Sequence, residues 1–450
     1  MGRVGYHTAM SAGLLNEIVG APDRDDLPGG IGVVSVHDED EPEFLAEVAE
    51  RERERVHLVR RGIDHGDWAE LDITGLVSDV PADIHAWRQR WADARPIQLR
   101  GALAGRSEAF APLFAERLRL GEGLQRTGAG GGLDGLIEAG LGRLDPGFDV
   151  LAPGEGRAFE AAVGGDPERD LERRFFRRTD LPGPGGAPDF WIKSQCLSRT
   201  PADPSGRIRI SFGVEREEDA SHDEQRHRAV ELLGRALLPE SALLRDDAAL
   251  FELLRELDDP EDEAELYLTQ DIAYWNAPNG GALFHHDAFE EEYEERQRAV
   301  VYAQLTGTTA WIVLSTQELA ARVEEFAELI DEGEMPWLKE VLFRGAGGAS
   351  LLNKILKGGR FVFAELEKPG CGRLGRLVNR GPEFTSLLAD AGHGFLMRAG
   401  DVLILPNHGL GHTALHSVFC ASAEPAYSLS LALRREPGPE EVEEPEGSDD

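Results

Sequence analysis

The sequence predicts an α+β protein whose core is a double-sheeted antiparallel jelly roll with helical insertions. Two observations carry this. Short apolar runs at strand spacing, bounded by glycine-containing turns, recur from Phe190 to Leu433. Helical periodicity breaks into that series in blocks rather than alternating with each strand, which suits packed antiparallel sheets better than a parallel α/β sheet. No internal repeat is visible.

In chain order, residues 1–82 form an N-terminal region with an acidic helix-like stretch, Glu41 to Glu54, and a short apolar run, Ile31 to Val36. It holds no chemical motif, and its role is open. The main domain is expected over residues 83–435. It opens with IHAWRQRWADARPIQLRGAL, Ile84 to Leu103, read as an amphipathic helix, a proline and a short strand with Ile97 and Leu99 on one face. A first insertion covers about 106–188. Its glycine-dense part, Gly121 to Gly156, reads as a connection, because the Lys-Ser/Thr ending of a phosphate loop is absent.

Strands are expected at Phe190 to Leu197 and Arg207 to Val214, followed by helices at Asp223 to Leu237 and Ala248 to Leu257. Further strands begin at Tyr274 and follow at Val300 to Leu305, Ala310 to Leu314, Phe361 to Ala364, Val402 to Leu405 and Tyr427 to Leu433. A second insertion, about 316–395, carries helical patterns at Thr316 to Asp331, Pro336 to Phe343 and Glu383 to Ala391. The acidic tail, 436–450, has Val442 as its one large apolar residue and is expected to be disordered.

Composition narrows the functional classes. A chain of 450 residues with 41% hydrophobic content can bury an enzyme-sized core. A net charge of −36 repels phosphate backbones and anionic membranes, so neither nucleic acid nor membrane is an expected partner. Cys196, Cys371 and Cys420 lie far apart, with neither disulfide-framework nor thiolate-zinc spacing. With no apolar leader or spanning segment in sight, the expected location is the cytoplasm.

The chemistry concentrates in YWNAPNGGALFHHDAFEEE. Gly280 and Gly281 turn the chain into a strand on which His285 and Asp287, two residues apart, share a face. Two histidines and one carboxylate on one side of a metal form the non-haem iron(II) arrangement, which leaves coordination positions open. The third ligand is expected in MRAGDVLILPNHGLGHTALHS, a strand and turn with His408, His412 and His416. His412, three residues past Gly409, ranks first; His416, on the same face by even spacing, ranks second; His408, within the turn, ranks last. His286 should face the other way.

These residues resemble the JmjC-like cupin oxygenases, iron(II)- and 2-oxoglutarate-dependent enzymes that include protein hydroxylases and demethylases. Arg95, Pro96, Arg100 and Gly101 match the opening block of that family. Gln304, Gly307 and Trp311 match its Gln-x-x-Gly-x-Lys-x-Trp strand, and AGDVLILPNHGLGH its Gly-Asp-strand-Pro-Gly-His block with one extra turn residue. The resemblance implies a double-stranded β-helix, a metal site of His285, Asp287 and His412 or His416, and hydroxylation of an amino-acid, peptide or protein side chain. It also implies 2-oxoglutarate as cosubstrate. Thr309 departs from the pattern where many members carry the lysine that pairs with the far carboxylate of 2-oxoglutarate; a threonine offers a hydroxyl and no charge. A cation would then come from Arg298, Arg398 or Arg434, with Tyr302 and Thr309 as hydroxyl donors. Two other readings are an iron(II) oxygenase that acts without 2-oxoglutarate on a small natural-product intermediate, and a non-catalytic cupin that binds a small molecule or protein. Oligomeric state is open, since no heptad seam is present.

Overall fold

A computed structural model of the chain describes residues 33–34, 45–46, 55–61, 68–74, 84–127, 148–150, 171–178, 190–198, 206–213, 231, 234–258, 265–278, 281–288, 297–380 and 382–435. Two small antiparallel pairs lie in the N-terminal part: β1 (Val33–Val34) with β2 (Leu45–Ala46), and β3 (Arg55–Arg61) with β4 (Trp68–Thr74). The main body is helical and antiparallel, as the α+β reading expects.

Among the described residues, its large sheet has nine strands. These are β5 (Ile97–Leu99), β6 (Phe148–Val150), β7 (Leu171–Arg178), β8 (Phe190–Ser198), β9 (Gly206–Gly213), β10 (Leu266–Asn276), β12 (Gln297–Thr306), β15 (Val402–Pro406) and β17 (Ala426–Arg435). Their order is β5-β15-β12-β17-β10-β9-β8-β7-β6. The small sheet, ordered β11-β16-β13-β14, joins β11 (Gly281–His285), β13 (Thr308–Ser315), β14 (Gly394–Arg398) and β16 (Ala414–Cys420).

Strand alternation sorts the side chains into three apolar cores. On β12, Ala299, Val301, Ala303 and Leu305 point outward with Leu429, Leu431 and Leu433 of β17. They pack under three helices, α1 (Ile84–Ala92), α2 (Ala111–Thr127) and α4 (Ala248–Asp258), which follows the short α3 (Ala242–Arg245). On β13, Ala310, Ile312 and Leu314 point outward the other way, against the second insertion: α5 (Thr316–Asp331), α6 (Pro336–Leu342), α7 (Gly345–Leu356), α8 (Arg360–Leu366), α9 (Gly375–Arg380) and α10 (Pro382–Leu388). Intervening residues meet in a third core between the sheets: Val300 and Tyr302, Trp311 and Val313, Phe395 and Met397, Leu403 and Leu405, with Ala414. Each buried aliphatic or aromatic side chain contributes about 1.5–3 kcal/mol, so the cores hold the two sheets face to face.

The local signals explain several elements. Ser315 caps α5 and Glu318 reciprocates, the capping box that starts a helix directly at the end of β13. Asp401 ties the opening block to the Gly-Asp block: its carboxylate accepts from the backbone N–H of Gly101 (2.7 Å) and of Arg398 (2.8 Å) and from the Gln98 amide (3.1 Å). Gly101 and Gly400 adopt φ of +60° and +95°, which glycine tolerates without strain.

Three expectations are corrected. Phe361 to Ala364 is helical, not a strand: it lies in α8, where Val362, Glu365 and Leu366 are buried at helical spacing against the insertion. Gly121 to Thr127, expected in a connection, continues α2, because Arg117 and Phe114 anchor that helix against the large sheet's outer core. β10 starts at Leu266, eight residues before Tyr274, and absorbs an irregularity between Thr269 and Ile272 where Gln270 has φ +54°. Most of Glu41 to Glu54, most of the helix expected at Asp223 to Leu237, and the tail 436–450 fall outside the described residues.

Candidate metal centre

β11 and β16 are neighbours in the small sheet, and their register sets His285 opposite His416. Directly opposed residues share a face and stand close enough for their side chains to meet. The two imidazole rings lie 4.2 Å apart, centroid to centroid. His416 shares its face with Ala414, so it belongs to the inter-sheet core and is 3% exposed. Asp287 follows the end of β11 and brings its carboxylate to both rings, Oδ2 at 3.6 Å from His416 Nε2 and Oδ1 at 4.0 Å from His285 Nε2. One ligand atom from each of the three residues lies within 4.8 Å of the others, a grouping able to hold a metal ion.

The hydrogen bonds behind the rings test that fit. His285 Nδ1 lies 2.7 Å from Leu283 O and His416 Nδ1 3.1 Å from Ala414 O. A carbonyl only accepts, so each Nδ1 donates, and Nε2 is the ring nitrogen that faces Asp287. That leaves Nε2 of each ring as the nitrogen able to bind a metal, with Nδ1 held by the second hydrogen bond that ligating histidines ordinarily make. Asp287 is steadied from its backbone, whose carbonyl accepts from the Gln297 amide at 3.0 Å.

The other histidines go elsewhere: the structure groups His416, expected second, with His285 and Asp287, and does not group His412, expected first. His412 is not part of the grouping; its Nε2 donates to Ala92 O at the end of α1 (2.5 Å), while His408 Nε2 donates to Trp91 O (2.8 Å). The cause is turn length. Asn407 bridges to Thr413, closing a wide turn, and β16 begins only at Ala414. Burial lowers the pKa of His408. His286 faces away as expected, with Nε2 donating to Glu367 O (3.0 Å).

Beyond His416 the inter-sheet space continues through aromatic contacts. Trp311 lies 5.5 Å from the His416 ring and meets Tyr302 edge-on at 4.7 Å. Thr309 and Tyr302, the two proposed hydroxyl donors, are committed to an internal network. Thr309 donates to Gln304 Oε1 (2.6 Å) and accepts from Trp311 Nε1 (2.9 Å), and Tyr302 donates to Ser428 Oγ (2.5 Å). Burial pushes the Tyr302 phenol well above its ordinary pKa, so it stays neutral.

Of the three arginines, Arg298 is held by Asp258 at 2.5 Å, and Asp258 also pairs with Arg435 at 2.8 Å. Arg398 shares its strand face with Leu396, the outward face of β14. Arg434 has an interior position, fully buried on the face of β17 that carries Ser428 and Ser430, in register with Gln297. Gln297 and Ser428 were not singled out from sequence. In YSLSLALRR the polar residues alternate with leucines at a period of two, a signal for a polar inward face.

No family model matches the sequence. No curated protein matches it either. Among solved structures, the chain is similar to a 2OG-Fe(II) oxygenase family oxidoreductase from Burkholderia pseudomallei, at 9% identity and a TM-score of 0.29, over 80% of this chain and 95% of that one. It is also similar to YcfD, a ribosomal oxygenase from Escherichia coli, at 14% identity and a TM-score of 0.20, over 65% of this chain and 46% of that one. The chain therefore spans less than half the length of the YcfD chain it matches. At these identities and TM-scores the likeness assigns no activity to this chain.

Proposed function

We propose that this chain is a non-haem iron(II) oxygenase, a dioxygenase of the JmjC-like cupin type, in which His285, Asp287 and His416 hold the metal. The facing sheets are read as its double-stranded β-helix. The observation that carries the proposal is the cross-strand pair: two histidines in register, both with Nδ1 on a backbone carbonyl and Nε2 turned to one carboxylate. Two neutral imidazoles and one carboxylate suit a divalent first-row metal and leave positions for other ligands.

Bound iron would supply the activation of O2, with 2-oxoglutarate oxidised to succinate and CO2 while one oxygen atom enters a substrate C–H bond. The protein's residues do the rest. Asp287 offsets the metal's charge, the backbone carbonyls of Leu283 and Ala414 fix the two rings, and Trp311, Val313 and Tyr302 close the interior side against water. Arg434 is the candidate to pair with the far carboxylate of 2-oxoglutarate, since it is buried on the interior face while Thr309 is neutral and engaged. The substrate class is an amino-acid, peptide or protein side chain.

The neutral Thr309 network also supports a second reading, an iron(II) oxygenase independent of 2-oxoglutarate acting on a small molecule. Anaerobic reconstitution with Fe(II) and metal analysis of the wild type and the His285→Ala, Asp287→Ala and His416→Ala variants tests the core of the proposal. About one metal per chain in the wild type alone is expected from a three-ligand site; unchanged content in the variants would refute it. Peptides gaining one oxygen atom with matched succinate release support the first reading, and oxygen gain by a small molecule without succinate the second.

Among the described residues, no helix is long and apolar enough to cross a membrane.

A further inference from the structure

We propose that Asn379, on α9 of the second insertion, is a positioning residue for the metal-binding pair His285 and Asp287, acting through the outer edge of β11. This rests on the metal site proposed above. Among the described residues β11 is the edge strand of the small sheet, and only β16 pairs with it within that sheet. That pairing is weakest where it matters, because the register shifts between Ala282 and His285. A strand whose ladder is interrupted next to a ligand does not by itself fix that ligand's side chain.

The missing restraint comes from the opposite side. The Phe284 N–H donates to Asn379 Oδ1 at 2.7 Å, a contact within the core, and the buried Cys371 thiol donates weakly to Phe284 O at 3.8 Å. Burial pushes the Cys371 thiol up to about 12, so it stays protonated as a donor. One residue beyond His285, His286 Nε2 donates to Glu367 O at 3.0 Å. The insertion thus satisfies both backbone groups of the residue before the first ligand and holds the side chain between the two ligands. Asn379 is 6% exposed, and its neighbours Leu377 and Val378 are sunk in the insertion's apolar core, so the amide is presented from a fixed helix. In effect α9 replaces the neighbouring strand that an edge strand lacks.

The test compares wild type, Asn379→Ala, Asn379→Asp and Val378→Ala, each checked for folding by circular dichroism. Hydrogen exchange on the metal-free proteins should show faster exchange at Phe284 in Asn379→Ala alone. Titration with Co(II) should show at least about a tenfold weaker Kd and an altered visible spectrum in Asn379→Ala, the usual scale for loss of an outer-shell support. Asn379→Asp, which keeps an acceptor for Phe284, should restore most of the affinity, and it serves if the alanine variant does not fold. Val378→Ala should lower the melting temperature and leave the Kd within twofold. A Kd for Asn379→Ala within twofold of wild type, or an equal loss in Val378→Ala, overturns the proposal. Absence of Co(II) binding by the wild type would instead overturn the metal site, and unchanged exchange at Phe284 would then count against the edge contact on its own.

Discussion

Exchanging His416 and His412 for alanine, one at a time, separates two roles that the sequence leaves side by side. His416 faces His285 across the strand pair and completes the grouping with Asp287. His412 instead donates to Ala92 O at the end of α1. A ligand present at a hundred times its Kd stabilises the folded state by about 2.7 kcal/mol. If removing His416 weakens the metal at least about a hundredfold, the same metal concentration leaves at most roughly 0.4 kcal/mol by the same relation. His412→Ala should keep the full metal-dependent increment of about 2.7 kcal/mol. It should lower metal-free stability by the worth of one partly exposed hydrogen bond, about 0.5–1.5 kcal/mol. Urea unfolding of each variant with and without Mn(II), an inert stand-in for iron, measures both quantities. A His412→Ala protein that loses the increment beside a His416→Ala protein that keeps it would refute the site as drawn.

Arg434→Met should abolish stabilisation by 2-oxoglutarate in the Mn(II) protein while leaving the Mn(II) increment intact; retention of the 2-oxoglutarate effect in a thermal-shift assay would remove Arg434 from the cosubstrate site. Thr309→Val should strand the buried indole N–H of Trp311 and cost about 1–3 kcal/mol in urea unfolding, against near neutrality if the hydroxyl is dispensable. Glu365 accepts from Arg373 and Lys368, and the Arg373 hydrogen bond leads in lowering its pKa from 4.5 to about 2. Because the folded-state value is the depressed one, this carboxylate stabilises the insertion fully above its ordinary 4.5, and that contribution is lost as pH falls toward 2. Melting curves across that range should therefore drop less steeply in Glu365→Gln than in the wild type.

The pair His285 and Asp287 was legible because its information is local: a glycine turn and a two-residue spacing fix a strand and a face. The third member of the grouping was not. His408, His412 and His416 stand four residues apart, and the choice depends on where the turn closes, which the Asn407–Thr413 bridge and the anchoring of both earlier histidines on α1 decide. Those contacts join segments more than three hundred residues apart in sequence. The same limit explains α8. An apolar run such as Phe361 to Ala364 fits a strand or a buried helix, and it resolves to a helix because the glycines before it, Gly358 and Gly359, take φ of +63° and +71° and the insertion offers a core at helical spacing. In the match to the family's lysine position, Thr309 was read as a donor pointing to a cosubstrate, whereas its hydroxyl joins Gln304 and Trp311, partners that are themselves within the matched motif.

The alternation that shaped the fold also divides its labour. Outward residues of the two sheets bury themselves under separate helical layers, one led by Trp87, Trp91 and Leu254, the other by Phe326, Val362 and Phe384. Inward residues are free of that duty and can be polar: Gln304, Thr309, Ser428, Ser430 and Arg434 all lie buried on interior faces, and Gln304, Thr309 and Ser428 bond to Tyr302 or Trp311, whose ring contacts lead to His416. A buried polar group without a partner costs about 1–3 kcal/mol, so such a face persists only where its members satisfy one another or a ligand. Tyr302, Ser428, Gln304, Thr309 and Trp311 satisfy one another. The His285–Asp287–His416 end is built differently, with one ligand atom from each residue within 4.8 Å of the others and both histidine Nδ1 atoms turned to backbone carbonyls, an arrangement able to take an ion as partner rather than another side chain.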